Sequence, residues 1–424
     1  MRNLLERLEK DVLVADGAMG TALYGNGLES CHEYNNISNP DSVEKIHRAY
    51  IEAGADIIQT NTYAAKKCQL KTYGYEDKFE EINIRAAEIA RKAAGQDTIV
   101  FGTIGAIRGL RECELTLETI VKETLNQVKV LLSTDKIDAL LFETYYDQEE
   151  IRAVLTEARK LTNLPIITNI SLLEAGITQN GEKVTDALST LVNLGADVVG
   201  LNCHLGPYHM IKSLKQVPLF AQSYLSAYPN ASLLQLTQTT HGNEYRFRKN
   251  SAYFEQSAKL LVEEGVRLIG GCCGTTPEHI RAIKRGIKNL KPIRRKIITP
   301  LPAEEELIRV ASNNPTIVDK AKKQVTIIAE LDPPKHLNID KFIEGAKAID
   351  KKNIEAITLA DNSLASTRIC NLATAALLKE HITTPTLLHL TCRDHNLIGL
   401  QSRLMGFDLL GINNILAITG DPSK

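Results

Sequence analysis

The sequence contains no tryptophan, no apolar run of about 18 residues and no surplus of charge of either sign. The missing tryptophan excludes nothing by itself. The missing apolar run excludes a helical membrane span, and the opening MRNLLERLEKDVLVADG lacks the apolar stretch of a secretory signal. A soluble, cytoplasmic chain without a membrane partner is expected. Lysine and arginine number 50 against 51 aspartates and glutamates. There is therefore neither the basic field that nucleic acid would demand nor the acidic tail of a disordered chain. No G-x-G-x-x-G follows the first apolar segment, which argues against a doubly wound dinucleotide-binding sheet. Eight cysteines in 424 residues are too sparse for a disulfide framework and are expected to remain thiols in a reducing compartment.

What the sequence does contain is a regular alternation of short apolar runs and longer amphipathic stretches. Strands are expected at 11–17, 55–63, 98–105, 137–144, 164–171, 196–203, 218–223 and 266–274, each followed by a helix. The runs are apolar throughout, as in strands covered on both faces. Eight such units in about 280 residues match an α/β fold of the (β/α)8 TIM-barrel type. Residues 291–324 are polar and proline-bearing and read as a linker between a first domain at 1–290 and a second at 325–424. The alternation then resumes, with strands expected at 325–334, 354–362, 385–394 and 412–422 and helices at 340–351, 364–380 and 396–410. Four strands are the first half of a second barrel of the same type.

Strand ends in such barrels deliver side chains to the C-terminal face, where their chemistry occurs. Cys203 ends the sixth strand in GLNC, and Cys272 and Cys273 end the eighth in GGCCG. Barrel closure sets those strands one apart, so three thiolates can converge despite their distance in sequence. Three sulfur ligands and an open fourth position describe a catalytic zinc site. Gly270, Gly271 and Gly274 are expected to relieve crowding there. The other five cysteines, Cys31, Cys68, Cys113, Cys370 and Cys392, read as inert. Asp16 and Glu143 close the first and fourth strands on the same face.

GLNC, GGCCGTTPEHI and the opening VADGAMGT together resemble the zinc-dependent homocysteine S-methyltransferase family over about residues 1–290. The resemblance implies that Cys203, Cys272 and Cys273 bind Zn2+ and that the homocysteine sulfur takes the fourth position. It also implies that Asp16 and Glu143 hold the substrate ammonium. Asn61 and Asn202 are candidates for further polar contacts, and Tyr145 and Tyr146 for the border of the methyl-donor pocket. S-methylmethionine, S-adenosylmethionine, betaine and methyltetrahydrofolate all qualify as donors. A methyltransferase acting on another thiol or selenol, or a zinc-binding scaffold without turnover, are the competing readings.

IIAELDPPK, ITLADNS, LLHLTCRD and LAITGDP occur in that order at the strand ends of the second half. The ordered set resembles the N-terminal half of methylenetetrahydrofolate reductase, a flavin-dependent barrel. The resemblance implies Glu330 as general acid and Thr358, His389 and Asp421 as FAD-contacting positions. With four strands, the reductase barrel is expected to be incomplete, to bind little FAD, and to expose two unpaired edges that favour homo-oligomers.

Overall fold

Eight parallel strands, most of them fully buried, form one sheet in the computed structural model, which describes residues 3–24, 31–109, 113–231, 235–239, 242–246, 250–298, 317–393 and 395–421. The chain divides into two compact units, Met1–Glu305 and Glu306–Lys424. In the first, β1 (Leu13–Val14), β2 (Ile57–Gln59), β3 (Ile99–Gly105), β4 (Ala139–Tyr145), β5 (Ile166–Ile170), β6 (Val198–Asn202) and β7 (Tyr224–Tyr228) belong to the parallel sheet, with β2 to β7 adjacent in chain order. A hairpin of β8 (Gln235–Thr239) and β9 (Gly242–Arg246) follows, and then β10 (Val266–Ile269) inserts between β7 and β1. The ring closes where Ala15 bridges Ile57, the Asp16 N–H donates to Ile57 O (3.0 Å) and the Asp56 N–H to Val14 O (2.7 Å). Closure rules out the open sheet.

Two sets of side chains explain the closed form. Alternate strand residues Leu13, Ile57, Phe101, Leu141, Ile167, Val198 and Leu268 fill the barrel interior, while Val14, Ile58, Val100, Leu140 and Val199 face the surrounding helices. That division is the period-2 alternation of a pleated strand with both faces apolar. Helix Pro40–Glu52 presents Val43, Ile46 and Tyr50 to the sheet at helical spacing. Thr116, Asp147 and Thr276 start later helices by accepting backbone N–H groups, Thr276 within a capping box completed by His279. At the opposite rim to the site, aspartates pin the register. Asp56, Asp138 and Asp197 accept the N–H groups of Val14, Val100 and Ile166 and pair with Arg7, Arg91 and Arg159.

Two expectations need correction. The seventh strand is Tyr224–Tyr228, not 218–223. Pro218, Leu219 and Phe220 are apolar because Leu219 and Phe220 pack against the outer core from a loop, so hydrophobicity alone misplaced the strand. Nor does a helix follow that strand directly, since the β8–β9 hairpin comes first. The polar composition of 291–324 also conceals order. Lys296 is buried and donates to Leu214 O, Val217 O and Glu264 O, fastening this segment to the first unit, and a short helix spans Ile317–Ala321.

In the second unit, β11 (Ile328–Glu330), β12 (Ala356–Leu359), β13 (Thr386–Thr391) and β14 (Asn414–Ile418) form a parallel sheet in that order. Helices Asp340–Asp350, Asn371–Leu378 and Leu397–Leu409 cover it through Phe342, Ala346, Ala375, Leu378 and Phe407. The helix expected from 364 starts at Asn371, because Asn362, Leu364 and Ala365 are left-handed and interrupt it. Among the described residues, β11 and β14 have no further strand partner, and no helix is long and apolar enough to cross a membrane.

Gly200 on β6 shows how tight the barrel is: a Cβ there would stand 2.0 Å from the Ser226 carbonyl oxygen on β7. Gly200→Ala is expected to cost about 3 kcal/mol or more, because rigid backbone must move. Gly109, with nothing within 4 Å among the described residues, is the control, and Gly109→Ala should stay within about 0.5 kcal/mol. Urea unfolding measures both.

Candidate metal centre and active site

β6 and β10 end on either side of β7, so the residues after each strand face a common point. Cys203 and His204 both adopt left-handed backbone (φ 57° and 55°), an uncommon state for residues with a Cβ. The turn is held by the Cys203 N–H donating to Tyr228 O (3.1 Å) and the Leu205 N–H to Cys203 O (2.6 Å). On the other side, the Cys272 N–H donates to Pro229 O (3.0 Å) and the Ala231 N–H to Cys273 O (3.0 Å). All three sulfurs lie within 4.8 Å of one another, with Cys203 Sγ and Cys273 Sγ 3.6 Å apart. A tetrahedral ion with bonds of about 2.3 Å separates its sulfurs by about 3.8 Å. The set therefore fits one zinc with a position to spare. Gly271 has a different reason from the one expected: a Cβ would stand 2.4 Å from Thr275 Oγ1, the hydroxyl that links Cys272 O to the Ala18 N–H.

The next wall is a bulge in β4. Register against β5 shifts between Phe142 and Tyr145, and Thr144 is left-handed (φ 63°), an outlier for a β-branched residue. Asn202 holds it there. The Thr144 N–H donates to Asn202 Oδ1 (2.7 Å), while Asn202 Nδ2 lies 2.8 Å from Thr144 Oγ1, 3.2 Å from Glu143 Oε2 and 4.0 Å from Cys272 Sγ. One buried amide thus connects the bulge, a carboxylate and a thiol. Asp16 is held from β2: the Gln59 N–H and side-chain amide donate to its two oxygens at 2.9 and 2.7 Å. It therefore ties β1 to β2 instead of capping the next helix.

Asp16, Glu143 and the three cysteines line one cavity of about 350 Å3 at the C-terminal mouth of the barrel, with no lysine or arginine among the described lining residues. Asn61 also lines it, but its amide nitrogen donates to His32 O (2.8 Å) and Asn36 Oδ1 (3.0 Å). Asn202 is outside the lining, committed to the bulge. Tyr145 is buried in the outer core, and Tyr146 packs edge-on to His204. Sequence reasoning missed Gln59, His32, Glu33 and Tyr63, all in the lining. Tyr63 had a signal, the T-N-T-Y strand end, and its ring lies against Gly105, where a Cβ would come within 2.4 Å.

The electrostatics follow from burying acids without a cation. Burial pushes Asp16 up to about 7, against the two Gln59 hydrogen bonds that favour its charged form. Burial pushes Glu143 up to about 8, with Cys203 and Asp16 adding repulsion. The Cys203 thiolate is favoured by hydrogen bonds from Cys272 and Cys273, whose own thiols are correspondingly held protonated. One thiolate forms easily, and three require a metal.

In the second unit, Glu330, His389 and Asp421 line a cavity of about 270 Å3 at the strand ends. Thr358 lies outside that lining, its hydroxyl 2.8 Å from His389 Nε2. Asp421 accepts the Leu364 N–H (2.7 Å), fixing the left-handed turn that interrupts the expected helix.

A closed barrel whose sixth and eighth strands deliver three converging cysteines beside the buried Asp16 and the half-buried Glu143 has a set of side chains that could hold a metal ion at the mouth of the barrel. The homocysteine S-methyltransferase family model matches residues 13–287, and the chain belongs to that family. The methylenetetrahydrofolate reductase family model matches residues 316–424, so the two modules are fused in one chain. Methionine synthases of Mycobacterium leprae (strain TN) and Mycobacterium tuberculosis (strain ATCC 25618 / H37Rv) are 34% and 32% identical over 67% and 70% of this chain. The chain spans only about a quarter of their length (25% and 26%). Among solved structures, the homocysteine methyltransferase MmuM from Escherichia coli in its oxidized form is 25% identical, with a TM-score of 0.55 over 67% of this chain and 98% of that one. Its metallated form, at 24% identity and a TM-score of 0.54 over 65% and 96%, supports the same fold.

The raised Asp16 pKa has a checkable sign. Between its ordinary value near 4 and about 7, the folded state holds a proton that the unfolded state has lost, so Asp16 withdraws stability as pH rises. In metal-free protein, the melting temperature of Asp16→Asn relative to the parent is therefore expected to rise from about pH 4 to about pH 7 and to level off above that. A difference that stays flat would show that Asp16 ionises normally.

Proposed function

We propose that the first unit transfers a methyl group to the thiol of homocysteine, giving methionine, at a zinc site formed by Cys203, Cys272 and Cys273. The carrying observation is the convergence of three sulfurs within 4.8 Å beside the buried Asp16 and the half-buried Glu143. Bound Zn2+ would supply the positive charge that favours the thiolate form of a substrate sulfur at neutral pH. Asp16 and Glu143 receive the substrate ammonium, whose charge offsets their mutual repulsion and lets both ionise. Asn202 keeps Glu143 aimed through the β4 bulge, and Gln59 does the same for Asp16. In the transfer, the substrate sulfur forms its bond to the methyl carbon as the donor's bond breaks. The electron pair leaves with the donor, and the thiol proton has already passed to solvent. S-methylmethionine, S-adenosylmethionine and methyltetrahydrofolate are the proposed donors.

For the second unit we propose the acid step of methylenetetrahydrofolate reduction, in which Glu330 gives the proton and the hydride comes from a reduced donor outside this unit, on the support of the family match to residues 316–424. The cavity at its strand ends, about 270 Å3 with no lysine or arginine in its described lining, does not fit the diphosphate of a whole FAD.

The purified chain is expected to carry about one zinc. Cys272→Ala and Cys203→Ala should each lose the metal and lower methionine formation by at least about 100-fold. Metal analysis and a homocysteine methylation assay run with each donor measure this. Full turnover in a zinc-free variant would sink the proposal.

A further inference from the structure

A second cavity lies in the first unit, at the rim of the barrel opposite the cysteines. Its volume is about 650 Å3, within the range of about 300–1,000 Å3 that small-molecule sites occupy. Three stretches far apart in sequence wall it: helix Leu4–Lys10 with the start of β1, the turn before β2, and helix Pro277–Gly286 with the residues after it. Asn289 is left-handed (φ 65°) and turns the chain after that last helix, and Lys291 Nζ lies 2.7 Å from Asp11 Oδ1, so the two ends of the barrel chain meet here.

Charge sets this cavity apart. Six of its lining side chains are cations, Arg7, Arg281, Lys284, Arg285, Lys288 and Lys291, against two acids, Asp11 and Asp56. Glu255 pairs with Arg285 from outside the lining, so three carboxylates face six cations in a chain whose net charge is −1. Arg281, Lys284, Arg285 and Lys288 follow the i, i+3, i+4, i+7 spacing that places side chains on one helical face. The helix dipole favours cations in the final turn, which accounts for Lys284 and Arg285. It does not account for Arg281, a turn earlier, or for Lys291, which lies beyond the helix.

Pairing offsets only part of this charge. Arg7 Nη2 (3.0 Å) and Lys284 Nζ (2.6 Å) divide the one carboxylate of Asp56, which also accepts the Val14 N–H. Lys291 and Asp11 are 75% and 54% exposed, and ion pairs that open to water contribute little. Arg281 and Lys288 are exposed and have no ion pair with another described residue. Arg281 with Arg285 and Lys284 with Lys288 are like-charge pairs at i, i+4, a spacing that destabilises a helix unless an anion intervenes.

We propose that this cavity binds the oligophosphate group of a small molecule, at a site separate from the metal centre. An oligophosphate carries several negative charges on a short chain, which matches a compact excess of cations. The guanidinium forks of Arg281 and Arg285 can each donate two parallel hydrogen bonds to phosphate oxygens, and Lys288 and Lys291 add point charges. Because the site joins the last helix to the segment before β1, its ligand stabilises the closed barrel.

The test is titration calorimetry of the full chain with sodium tripolyphosphate, with melting temperature as a second readout. Saturable binding is expected, with a raised melting temperature, and both effects should weaken as salt is added. Arg281→Ala and Lys288→Ala should each weaken binding about 3- to 10-fold, and the double variant at least about 10-fold. Lys160→Ala, at an exposed cation outside the cavity, should change it less than about twofold. Without ligand, all variants should melt within about 2 °C of the parent, as surface substitutions do. No binding by the parent, unchanged affinity in the double variant, or sulfate at equal ionic strength binding as well as tripolyphosphate would overturn the assignment. A tri-γ-glutamyl peptide that binds more tightly than tripolyphosphate would overturn the choice of phosphate over carboxylate.

Discussion

Five acids, Asp16, Glu143, Cys203, Cys272 and Cys273, share one buried end of a barrel whose described lining has no lysine or arginine. They cannot all ionise together in a poorly solvated site. The protein keeps Asp16 and Glu143 partly protonated near neutrality and lets Cys203 ionise on the hydrogen bonds of its neighbours. Such a site would suit positive partners, as proposed for a divalent ion at the sulfurs and an ammonium at the carboxylates. An amino-acid thiol, the substrate proposed above, would meet that charge balance.

Local backbone geometry is arranged around the same requirement. Cys203, His204 and Thr144 occupy left-handed conformations that ordinary strands avoid, and all three stand where a strand hands a side chain to the cavity. Asn202 links two of these distortions, being the residue before Cys203 and the hydrogen-bonding partner of Thr144. The opposite rim is conventional: arginine–aspartate pairs fix alternate strands and give the strained end a rigid base. Strain at the top is thus sustained by regularity at the bottom.

The barrel, its strand count and the cysteine trio were legible in the sequence because each leaves a local trace. Fully buried strands are continuously apolar, and strand-terminal residues in this topology share one face, so Cys203 and the Cys272–Cys273 pair could be placed together. The seventh strand was misplaced because Leu219 and Phe220 are as apolar as Leu225 and Ala227, and only pairing with β6 and β10 distinguishes them. Lys296 sat in a stretch that composition marks as a linker, yet its ammonium is buried against three carbonyls.

The sequence by itself determined which chemistry is present: three soft sulfur ligands, two carboxylates at strand ends and the alternation that carries them to one face. Tertiary structure alone decided how each group is used. Asn61 and Asn202 look equally like substrate contacts in one dimension. In three, one supports the loop of His32 and the other props the β4 bulge, because their partners lie 25 or more residues away. Likewise, no pattern announces that the described lining of the cavity holds no lysine or arginine. A spacing reports what recurs along the chain, but charge balance and unpartnered atoms exist only after the chain has closed around a common space.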